Sequence, residues 1–529
     1  MHTNCIPKTK TMLVAKNILT HDYYLKVRQK GVNIFLYNEI DFIPPTKEED
    51  NETFFNCSSH RVESTWYTWE VNDKLIQDFK IRFPNFFNID GYDLTLAIQK
   101  AMYWSNIKTG FLWYSIKTYY PLTKVYYAEE MHPSSKLGAI SRYISAFRLR
   151  SNFKLGHTQS VDSNKIAIHL RSNFQLGFYL ELINKTKNDD NFKLFVDPDV
   201  DEIYLKELGL NTLNVVKTSG IDAQIPLINP LKMSKEDSFA LNIILMYWHE
   251  FGEHIETAES MIHDGLKAIL VNEGENGIYG AIVSEVFKKN GVKVYNTMNG
   301  VKSGEAQDSY VNFDYWFVWD QQMKQMLIDA NKLPEHKLIV SGHLIEDLIS
   351  NYQYHNSLNL DLKFLEDKKV ISIYTAKGKR YAKLASMKFL FELLEEDESL
   401  ALIIRPHPAE KPEDFILPDK NLDRIHFASY NSINANSSLH DLLLMSDLAI
   451  VFGSTVALDA KWMGVPCISF EIREKSLIYC ADNHKIKHVS TIEDFKTLVK
   501  SSLTKKVKNI EENKASVSDF ILEEIVRNN

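Results

Sequence analysis

The stretch "DLAIVFGSTVALDAKWMGVPCISF" (447–470) decides the fold class of this chain. An apolar run ends at Phe452, and Gly453 permits a tight turn, because glycine adopts backbone angles that other residues avoid. A helical pattern with one apolar side follows, and Gly464 and Pro466 end it before a second apolar run. This strand–helix–strand order predicts a parallel β-sheet covered by helices.

The same alternation recurs along most of the chain and predicts an α/β protein. Short apolar runs separated by helical patterns of 10–15 residues indicate parallel strands joined by crossover helices. The runs of a first unit are "KIAIHL" (165–170), "FKLFV" (192–196), "LNVVK" (213–217), "KAILVNE" (267–273), "VKVYN" (292–296) and "YWFVW" (315–319). Those of a second unit are "KLIVSG" (337–342), "KKVISIYTAKGKR" (368–380), "LALIIRPHP" (400–408) and the stretch quoted above.

This pattern divides the 529 residues into three parts. Residues 1–162 lack the alternation and form an N-terminal extension rich in aromatic residues, which is typical of a segment packed on a core. The alternative is a surface that binds a partner or the acceptor. A first Rossmann-like domain is predicted over 163–335 and a second over 336–529, and the latter closes with the helical pattern "KASVSDFILEEIVRNN" (514–529).

Composition excludes several classes of protein. The chain is 44% hydrophobic and 25% charged, as in ordinary globular proteins, and its net charge of −8 argues against a general nucleic-acid binder. The four cysteines are too scattered for a disulfide framework or a zinc knuckle, which fits a reducing compartment. We see no signal peptide and no apolar run long enough to span a bilayer, and therefore expect a cytoplasmic protein, with peripheral contact to the inner membrane still compatible.

The turn after Phe452 is the first candidate for chemistry. Gly453, Ser454 and Thr455 stand where a helix should begin, and hydroxyl groups and free backbone N–H groups at such a place attract phosphate. The alternative is ordinary helix capping without a ligand.

The stretch "LIIRPHPAE" (402–410) is the second candidate. It places Arg405, His407 and Glu410 directly after a buried strand, where ligands bind in open α/β sheets. Pro408 and the proline before His407 stiffen the loop, so His407 can face an anion at little entropic cost. The alternative is that His407 caps a helix or bonds a carbonyl group.

A third loop, "TAKGKRYAK" (375–383), also follows a strand end. It brings Lys377 beside Gly378, and a basic loop that contains glycine suits a diphosphate. The alternative is a solvated basic turn, but three such loops in one sheet favour a phosphate site.

The order "RPHPAE … SDLAIVFGSTVALDAKWMGVPCI" resembles the C-terminal half of GT-B glycosyltransferases of bacterial surface-polysaccharide assembly. The similar families are capsule and lipopolysaccharide Kdo-transferase-like proteins, His-Pro motif sialyltransferases and teichoic-acid polymerases. The resemblance covers about 265–475. It implies that His407, Pro408, Ser454 and Thr455 hold the nucleotide phosphates of a sugar donor, either CMP- or UDP-linked.

The segment "LVNEGENGIYGAIVSEVFKKNGVKVYNTMNGV" (270–301) resembles the part of those families that precedes the cleft between the domains, but it departs from their pattern in one place. Where they have a His-Gly pair, this chain has Asn299 and Gly300. A catalytic histidine therefore cannot be carried over, and Glu273, at the end of the preceding strand, becomes the predicted base. Glu305 and Asp308 are reserves. The alternative is that Glu273 is a carboxylate at a helix start.

These residues predict a metal-independent glycosyltransferase. The first domain would hold a glycan or glycolipid acceptor and the second the nucleotide-sugar, with Lys377, Arg405, His407 and the helix start stabilising the leaving phosphate in place of a metal. Two alternatives stay open: another enzyme on the same scaffold, namely a sugar-nucleotide epimerase or polyol-phosphate transferase, and a non-catalytic nucleotide-binding scaffold. "HEFGEH" (249–254) lacks the spacing of a zinc site, and we expect no metal.

Overall fold

The structure is a computed structural model of the 529-residue chain. It describes residues 11–15, 33–36, 61–105, 124–127 and most of 165–529. Within the last range, the residues it leaves undescribed are 198–199, 201–204, 207–208, 210–211, 215–224, 230–231, 263–264, 273–276, 299, 303, 351, 355–364, 366, 376–379, 408–409, 411–414, 416, 419, 429–434, 471–485 and 504–514.

The described residues of the N-terminal part form a small parallel sheet, a short antiparallel pair and two helices. The sheet has the order β2-β1-β5, and its strands are β1 (Thr11–Ala15), β2 (Asn33–Leu36) and β5 (Lys124–Tyr127). The other elements are α1 (Arg61–Arg82), the short antiparallel pair β3 (Asn88–Ile89) and β4 (Tyr92–Asp93), and α2 (95–105).

A larger parallel sheet follows, with the order β12-β11-β10-β9-β6-β7-β8 among the described residues. Its strands are β6 (Ile166–Leu170), β7 (Phe192–Val196), β8 (Thr212–Asn214), β9 (Ala268–Asn272), β10 (Lys293–Thr297), β11 (Tyr315–Val318) and β12 (Leu338–Val340). The connecting helices are α3 (Asn173–Thr186), α4 (Lys235–Ser260), α5 (Ile278–Lys289) and α6 (Gln321–Asp329). The chain winds outward from β6, returns to β9 beside it, and winds the other way, so the strand order reverses between β6 and β9.

The second parallel sheet has the order β15-β14-β13-β16-β17-β18. Its strands are β13 (Lys369–Tyr374), β14 (Leu400–Arg405), β15 (Ile425–Phe427), β16 (Leu448–Val451), β17 (Cys467–Phe470) and β18 (Lys487–Val489). The helices of this part are α7 (Ile345–Ser350), α8 (Arg380–Glu396), α9 (Ala435–Met445), α10 (Val456–Trp462), α11 (Ile492–Ser502) and α12 (Val517–Arg527). Here the strand order reverses between β13 and β16.

The two sheets confirm the prediction of an α/β protein with two Rossmann-like units, the architecture of GT-B enzymes. Each central strand is buried along its length, because side chains from both faces enter apolar clusters under the helices. One strand belongs to a different sheet from the one predicted. Leu338–Val340, which we assigned to the second unit, pairs in parallel with β11 and is the edge strand of the first sheet. A short apolar run carries no signal of which sheet receives it.

The C-terminal helix α12 crosses back to the first sheet. Its apolar residues Val517, Ile521 and Ile525 are buried in one cluster with residues of β6 and β9. Asp347 on α7 fixes the start of the helix, because its carboxylate accepts hydrogen bonds from the backbone N–H groups of Val517 (2.9 Å) and Ser518 (2.7 Å). Among the described residues, 341–350 link the two units, and α12 lies against the first sheet although it follows α11 of the second unit in sequence.

Candidate active site

The predicted phosphate loops begin side by side at the carboxyl edge of the second sheet. Tyr374, the last residue of β13, lies opposite Arg405 at the end of β14 and opposite Val451 at the end of β16. These three strands are neighbours, and the strand order reverses between β13 and β16. Ligands of open α/β sheets bind at such a reversal, so the structure brings the 405–410 and 453–455 loops to the place where a ligand is expected.

The loop after β14 is tied to the end of β13 by a compact set of hydrogen bonds. The backbone N–H of Thr375 donates to the carbonyl oxygen of Arg405 (3.1 Å), and the N–H of His407 donates to the Thr375 hydroxyl oxygen (2.9 Å). Arg405 is buried, with 8% of its surface exposed, whereas the His407 side chain is partly exposed. The loop therefore presents His407 from a fixed backbone.

Glu410 holds this loop together. Its carboxylate accepts hydrogen bonds from the Thr375 hydroxyl group, from the ammonium group of Lys383 on α8, and from the backbone N–H of His407 (3.2 Å). The Glu410 side chain is 9% exposed and that of Lys383 is 13% exposed. From the sequence, Glu410 is one of the residues expected to bind the donor. In the structure its oxygen atoms are engaged inside the loop, which makes it a residue that positions His407.

The turn after β16 has the expected shape but not the expected capping. Gly453 has a φ of +69°, in the left-handed region that favours glycine. Thr455 is exposed and its side chain makes no capping hydrogen bond, and from the described residues the Ser454 oxygen accepts only a long bond, from Val456 N–H (3.4 Å). Both hydroxyl groups therefore remain available to a ligand near β13. The helix that follows, α10, has seven residues, so the turn and its hydroxyl groups matter more here than a helix dipole.

Four of the predicted site residues lie outside the described residues. They are Glu273, Lys377, Gly378 and Pro408. Asn299, which replaces the family's histidine, also lies outside them. The roles proposed for these residues stay predictions.

Glu305 and Asp308, the reserve bases, are buried under the N-terminal extension. They are 3% and 2% exposed, and Asp308 lies 3.8 Å from the ammonium group of buried Lys302. Helices α1 and α2 cover this loop: the Trp66 indole N–H donates to Gly304 O (3.1 Å), and the Lys100 ammonium group donates to Gln307 O (2.8 Å). A carboxylate closed off in this way cannot meet an acceptor hydroxyl group, so the expectation for both residues was wrong. The covering helices are more than 200 residues away in sequence, which hides the contact from a reading of local patterns.

His343 occupies the first crossing between the two sheets. Its ring packs on Trp319 (4.2 Å between centroids), on Phe178 of α3 (5.6 Å) and on Trp462 of α10 in the second unit (5.2 Å). Nδ1 accepts a hydrogen bond from Ile345 N–H (3.0 Å), which leaves the ring proton on Nε2. Burial lowers the pKa of His343 to about 3. The ring is therefore neutral and joins the two domains by apolar contact.

A small cavity lies beside this crossing, at the carboxyl ends of β9, β10 and β11. Its polar lining includes Tyr179, Asn272, Thr297 and His343. The Asn272 amide donates to the Thr297 hydroxyl oxygen (2.8 Å), and the Tyr179 hydroxyl group bonds the same oxygen. The cavity offers uncharged hydrogen-bonding groups, in contrast to the cationic loops of the second sheet.

A polar cluster that was not predicted from the sequence lies at the carboxyl edge of the first sheet. His169 is buried within β6, and its Nε2 lies 2.9 Å from the carboxylate of Asp197, the residue that follows β7. Arg171 and Tyr279 complete the cluster. The signal was present in the sequence: a histidine near the end of an otherwise apolar strand, and an aspartate directly after the next strand.

Comparisons with known proteins give structural likeness alone. No family model matches the chain, and no curated protein matches it in sequence. A protein described as a UDP-N-acetylglucosamine 2-epimerase from Listeria monocytogenes is 12% identical, with 70% of this chain and 97% of that chain covered and a TM-score of 0.49. The UDP-GlcNAc 2-epimerase of Neisseria meningitidis bound to UDP-GlcNAc is 14% identical, with 68% of this chain and 100% of that chain covered and a TM-score of 0.49.

The wall teichoic acid polymerase TagF is 13% identical, with 70% of this chain and 91% of that chain covered and a TM-score of 0.37. At such identities and TM-scores these likenesses assign no activity to the chain. Among the described helices, none combines the length and the apolar character needed to cross a bilayer. The function must be inferred from the residues of the chain itself.

Proposed function

We propose that this protein is a glycosyltransferase that moves a sugar from a nucleotide-sugar donor to a hydroxyl group of a surface glycan or glycolipid acceptor. The second sheet binds the donor, CMP- or UDP-linked, and the first sheet carries the acceptor. Protein cations, rather than a metal ion, stabilise the leaving phosphate. A cytoplasmic location with peripheral contact to the inner membrane belongs to the same proposal, because a glycolipid acceptor would reside there.

One observation carries this proposal: the loops after β14 and β16 leave the second sheet at the same edge, on either side of the end of β13, where the strand order reverses. One presents His407 from a backbone that Glu410 fixes. The other presents the hydroxyl groups of Ser454 and Thr455. A partly exposed imidazole and free hydroxyl groups around a strand-order reversal suit the oxygen atoms of a phosphate group.

The chemistry follows from where charge develops. As the bond between the anomeric carbon and the phosphate oxygen breaks, negative charge grows on the phosphate group. Donors that already point at that position stabilise it without rearrangement, which is the largest single contribution in many enzymes. We propose that His407, Ser454 and Thr455, with Lys377 of the neighbouring loop, are these donors. Because Arg405 is nearly buried, it acts through its position beneath the loop.

The acceptor hydroxyl group must lose a proton as its oxygen attacks. The base belongs at the carboxyl edge of the first sheet, where the sequence predicts Glu273 at the end of β9. That edge also holds the small uncharged cavity at Asn272 and Thr297.

The test is a transfer assay with CMP- and UDP-linked sugars and a panel of glycan and glycolipid acceptors, read by mass spectrometry of the products. We expect nucleotide release that depends on acceptor. His407→Ala should lower donor affinity by roughly tenfold to a hundredfold, as expected for loss of a hydrogen bond to a charged group, and His336→Ala, an exposed histidine away from the loops, should not.

Other outcomes would assign the protein differently. Interconversion of a free UDP-sugar without any acceptor would make it an epimerase. Nucleotide binding without turnover would make it a scaffold. Equal donor affinity in the wild type and in His407→Ala would contradict the donor site itself.

A further inference from the structure

A partly exposed arginine stands at the carboxyl edge of the first sheet, where the strand order reverses. Arg171 directly follows β6, which pairs with β9 at the reversal, and it precedes Ser172, the N-cap of α3. The 14 residues of α3 place the positive end of a helix dipole at this point. Open α/β sheets bind their ligands at such an edge, so Arg171 occupies a position suited to a negatively charged group.

Contacts from several elements hold Arg171 in place. Its backbone N–H donates to Gln175 Oε1 (2.6 Å), and its guanidinium carbon lies 3.8 Å from the centroid of the Tyr279 ring. That ring is itself fixed, because the Tyr279 hydroxyl group bonds His169 Nδ1 and the ring packs edge-on against His254 of α4 (5.2 Å between centroids). The buried cluster around His169 therefore forms a platform on which the guanidinium group rests.

The outer part of the Arg171 side chain is available to a ligand. The side chain is 30% exposed, whereas that of Asp197, the acid beside it, is 4% exposed and bonds His169. Arg171 Nε lies 3.7 Å from an Asp197 oxygen, which is too long for a hydrogen bond. Among the residues that the structure describes, none accepts a hydrogen bond from the two terminal nitrogens of Arg171. Their planar arrangement matches the oxygen atoms of a phosphate or a carboxylate group.

A second observation at the same place points to a ligand. Gln175, in the first turn of α3, is 1% exposed, and its Oε1 is engaged by the Arg171 N–H. Its Nε2 is buried and has no acceptor among the described residues. A buried N–H group without an acceptor is unfavourable, and an oxygen atom of water bound together with a ligand would satisfy it. Gln175 is too enclosed to touch the ligand itself, so the direct contact falls to Arg171.

We propose that Arg171 at the start of α3 binds a phosphate or carboxylate group of the acceptor, so that the acceptor is an anionic glycan or glycolipid. This inference rests on the proposed function, which assigns the acceptor to the first sheet and the donor to the loops of the second. β6 also lies beside β9, the strand that precedes the predicted base Glu273 in the sequence. An acceptor anchored at Arg171 by its charged group is thus held beside the strand after which the base is predicted.

The test compares three synthetic disaccharide acceptors that differ in one substituent: a phosphate monoester, a carboxylate or a neutral hydroxyl group. Their binding is measured by calorimetry without donor, and their KM and kcat are measured in the transfer assay with saturating donor. Arg171→Gln removes the charge, and Arg171→Lys keeps the charge but loses the planar fork. The matched control is Arg527→Gln, at a 71% exposed arginine of α12 that bonds Glu524 of its own helix.

We expect the wild type to bind one of the two anionic acceptors at least about tenfold more tightly than the neutral one, as expected for bonds to a charged group. The better of the two identifies the group as phosphate or carboxylate. Arg171→Gln should weaken binding of that acceptor by roughly tenfold to a hundredfold and raise its KM with little change in kcat. The affinities for the neutral acceptor and for CMP or UDP should stay within about twofold.

Two further readouts separate charge recognition from a structural role. Arg171→Lys should recover part of the affinity for the anionic acceptor, because the cation is retained. In the wild type, the advantage of the anionic over the neutral acceptor should shrink as salt is raised, since salt screens exposed charges. In Arg171→Gln this salt dependence should be lost.

The outcomes distinguish this inference from the proposed function. Equal binding of the charged and neutral acceptors by the wild type, or unchanged affinity for the charged one in Arg171→Gln, would overturn the anion site alone. Loss of nucleotide affinity in Arg171→Gln would also overturn it, because the arginine would then serve the donor, and so would an equal loss of acceptor affinity in Arg527→Gln. Binding of a charged acceptor that depends on Arg171, in a protein that transfers no sugar, would overturn the proposed function and leave the site standing.

Discussion

Replacement of His343 by asparagine should remove an acid-sensitive group from the crossing between the two domains. His343 is 9% exposed and lies among the rings of Phe178, Trp319 and Trp462. Burial lowers its pKa from 6.5 to about 3, so the folded protein keeps the ring neutral where the unfolded chain would protonate it. Asparagine retains an oxygen that can accept from Ile345 N–H but cannot take up a proton.

The magnitude follows from the linkage between protonation and folding. Between pH 6.5 and 3 the unfolded chain binds more protons than the folded protein, so stability rises with pH across this window and is lost as pH falls. For one histidine with these two pKa values, lowering the pH from 7.5 to 5 costs about 2 kcal/mol of unfolding free energy. In a domain of 150–250 residues that corresponds to about 4–8 °C in Tm.

The assay is thermal denaturation of three proteins at pH 7.5 and pH 5: the wild type, His343→Asn and His336→Asn. His336 is exposed and serves as the matched control. Other titrating groups contribute equally to all three, so the difference between the two pH values isolates His343. We expect the wild type and His336→Asn to lose about 4–8 °C more than His343→Asn on acidification. The same loss in all three proteins would refute the reasoning.

Three further perturbations have definite expected results. Asp347→Asn should destabilise the start of α12 by about 2 kcal/mol and speed hydrogen exchange at its first amides, because the amide keeps one neutral acceptor in place of two charged ones. Asp519→Asn, at an exposed residue of the same helix, should cost under about 1 kcal/mol. Lys100→Met should lower the unfolding free energy by about 1–3 kcal/mol in urea titration, because it removes the donor to buried Gln307 O, and exposed Lys74→Met should change it little. Ser454→Ala should weaken nucleotide binding by roughly tenfold in calorimetry without lowering Tm.

The sequence predicted the sheets well because their signal is local. Buried parallel strands consist of unbroken apolar runs, and glycine and proline mark their ends, so the stretch 447–470 alone indicates strand, turn, helix and strand. The same reasoning placed the 405–410 and 453–455 loops at strand ends, and the strand order then brought them together. What local pattern could not give is that order, and Leu338–Val340 joined the first sheet rather than the second for this reason.

The candidate site was predicted less fully, because side-chain partners are set by tertiary contacts. Glu410 reads as an anion beside a cationic loop, yet its carboxylate is held by Thr375 and Lys383. Asp308 reads as an available acid, yet it lies in a buried ion pair beneath helices that are distant in sequence. In the sequence His169 is one polar residue in an apolar strand, and its buried hydrogen bond with Asp197 is visible only in the tertiary structure.

Binding of a nucleotide to the second sheet is the central claim, and one measurement tests it most directly. It is a thermal-shift screen against CMP, CDP, UDP, GDP and dTDP, with and without magnesium, on the wild type and on His407→Ala. A ligand that binds the folded state raises Tm. At a hundredfold excess over its Kd it adds about 2.7 kcal/mol to the free energy of unfolding. We predict a rise with CMP or with UDP that is independent of magnesium and smaller in His407→Ala. No rise with any nucleotide, or equal rises in both proteins, would contradict the account.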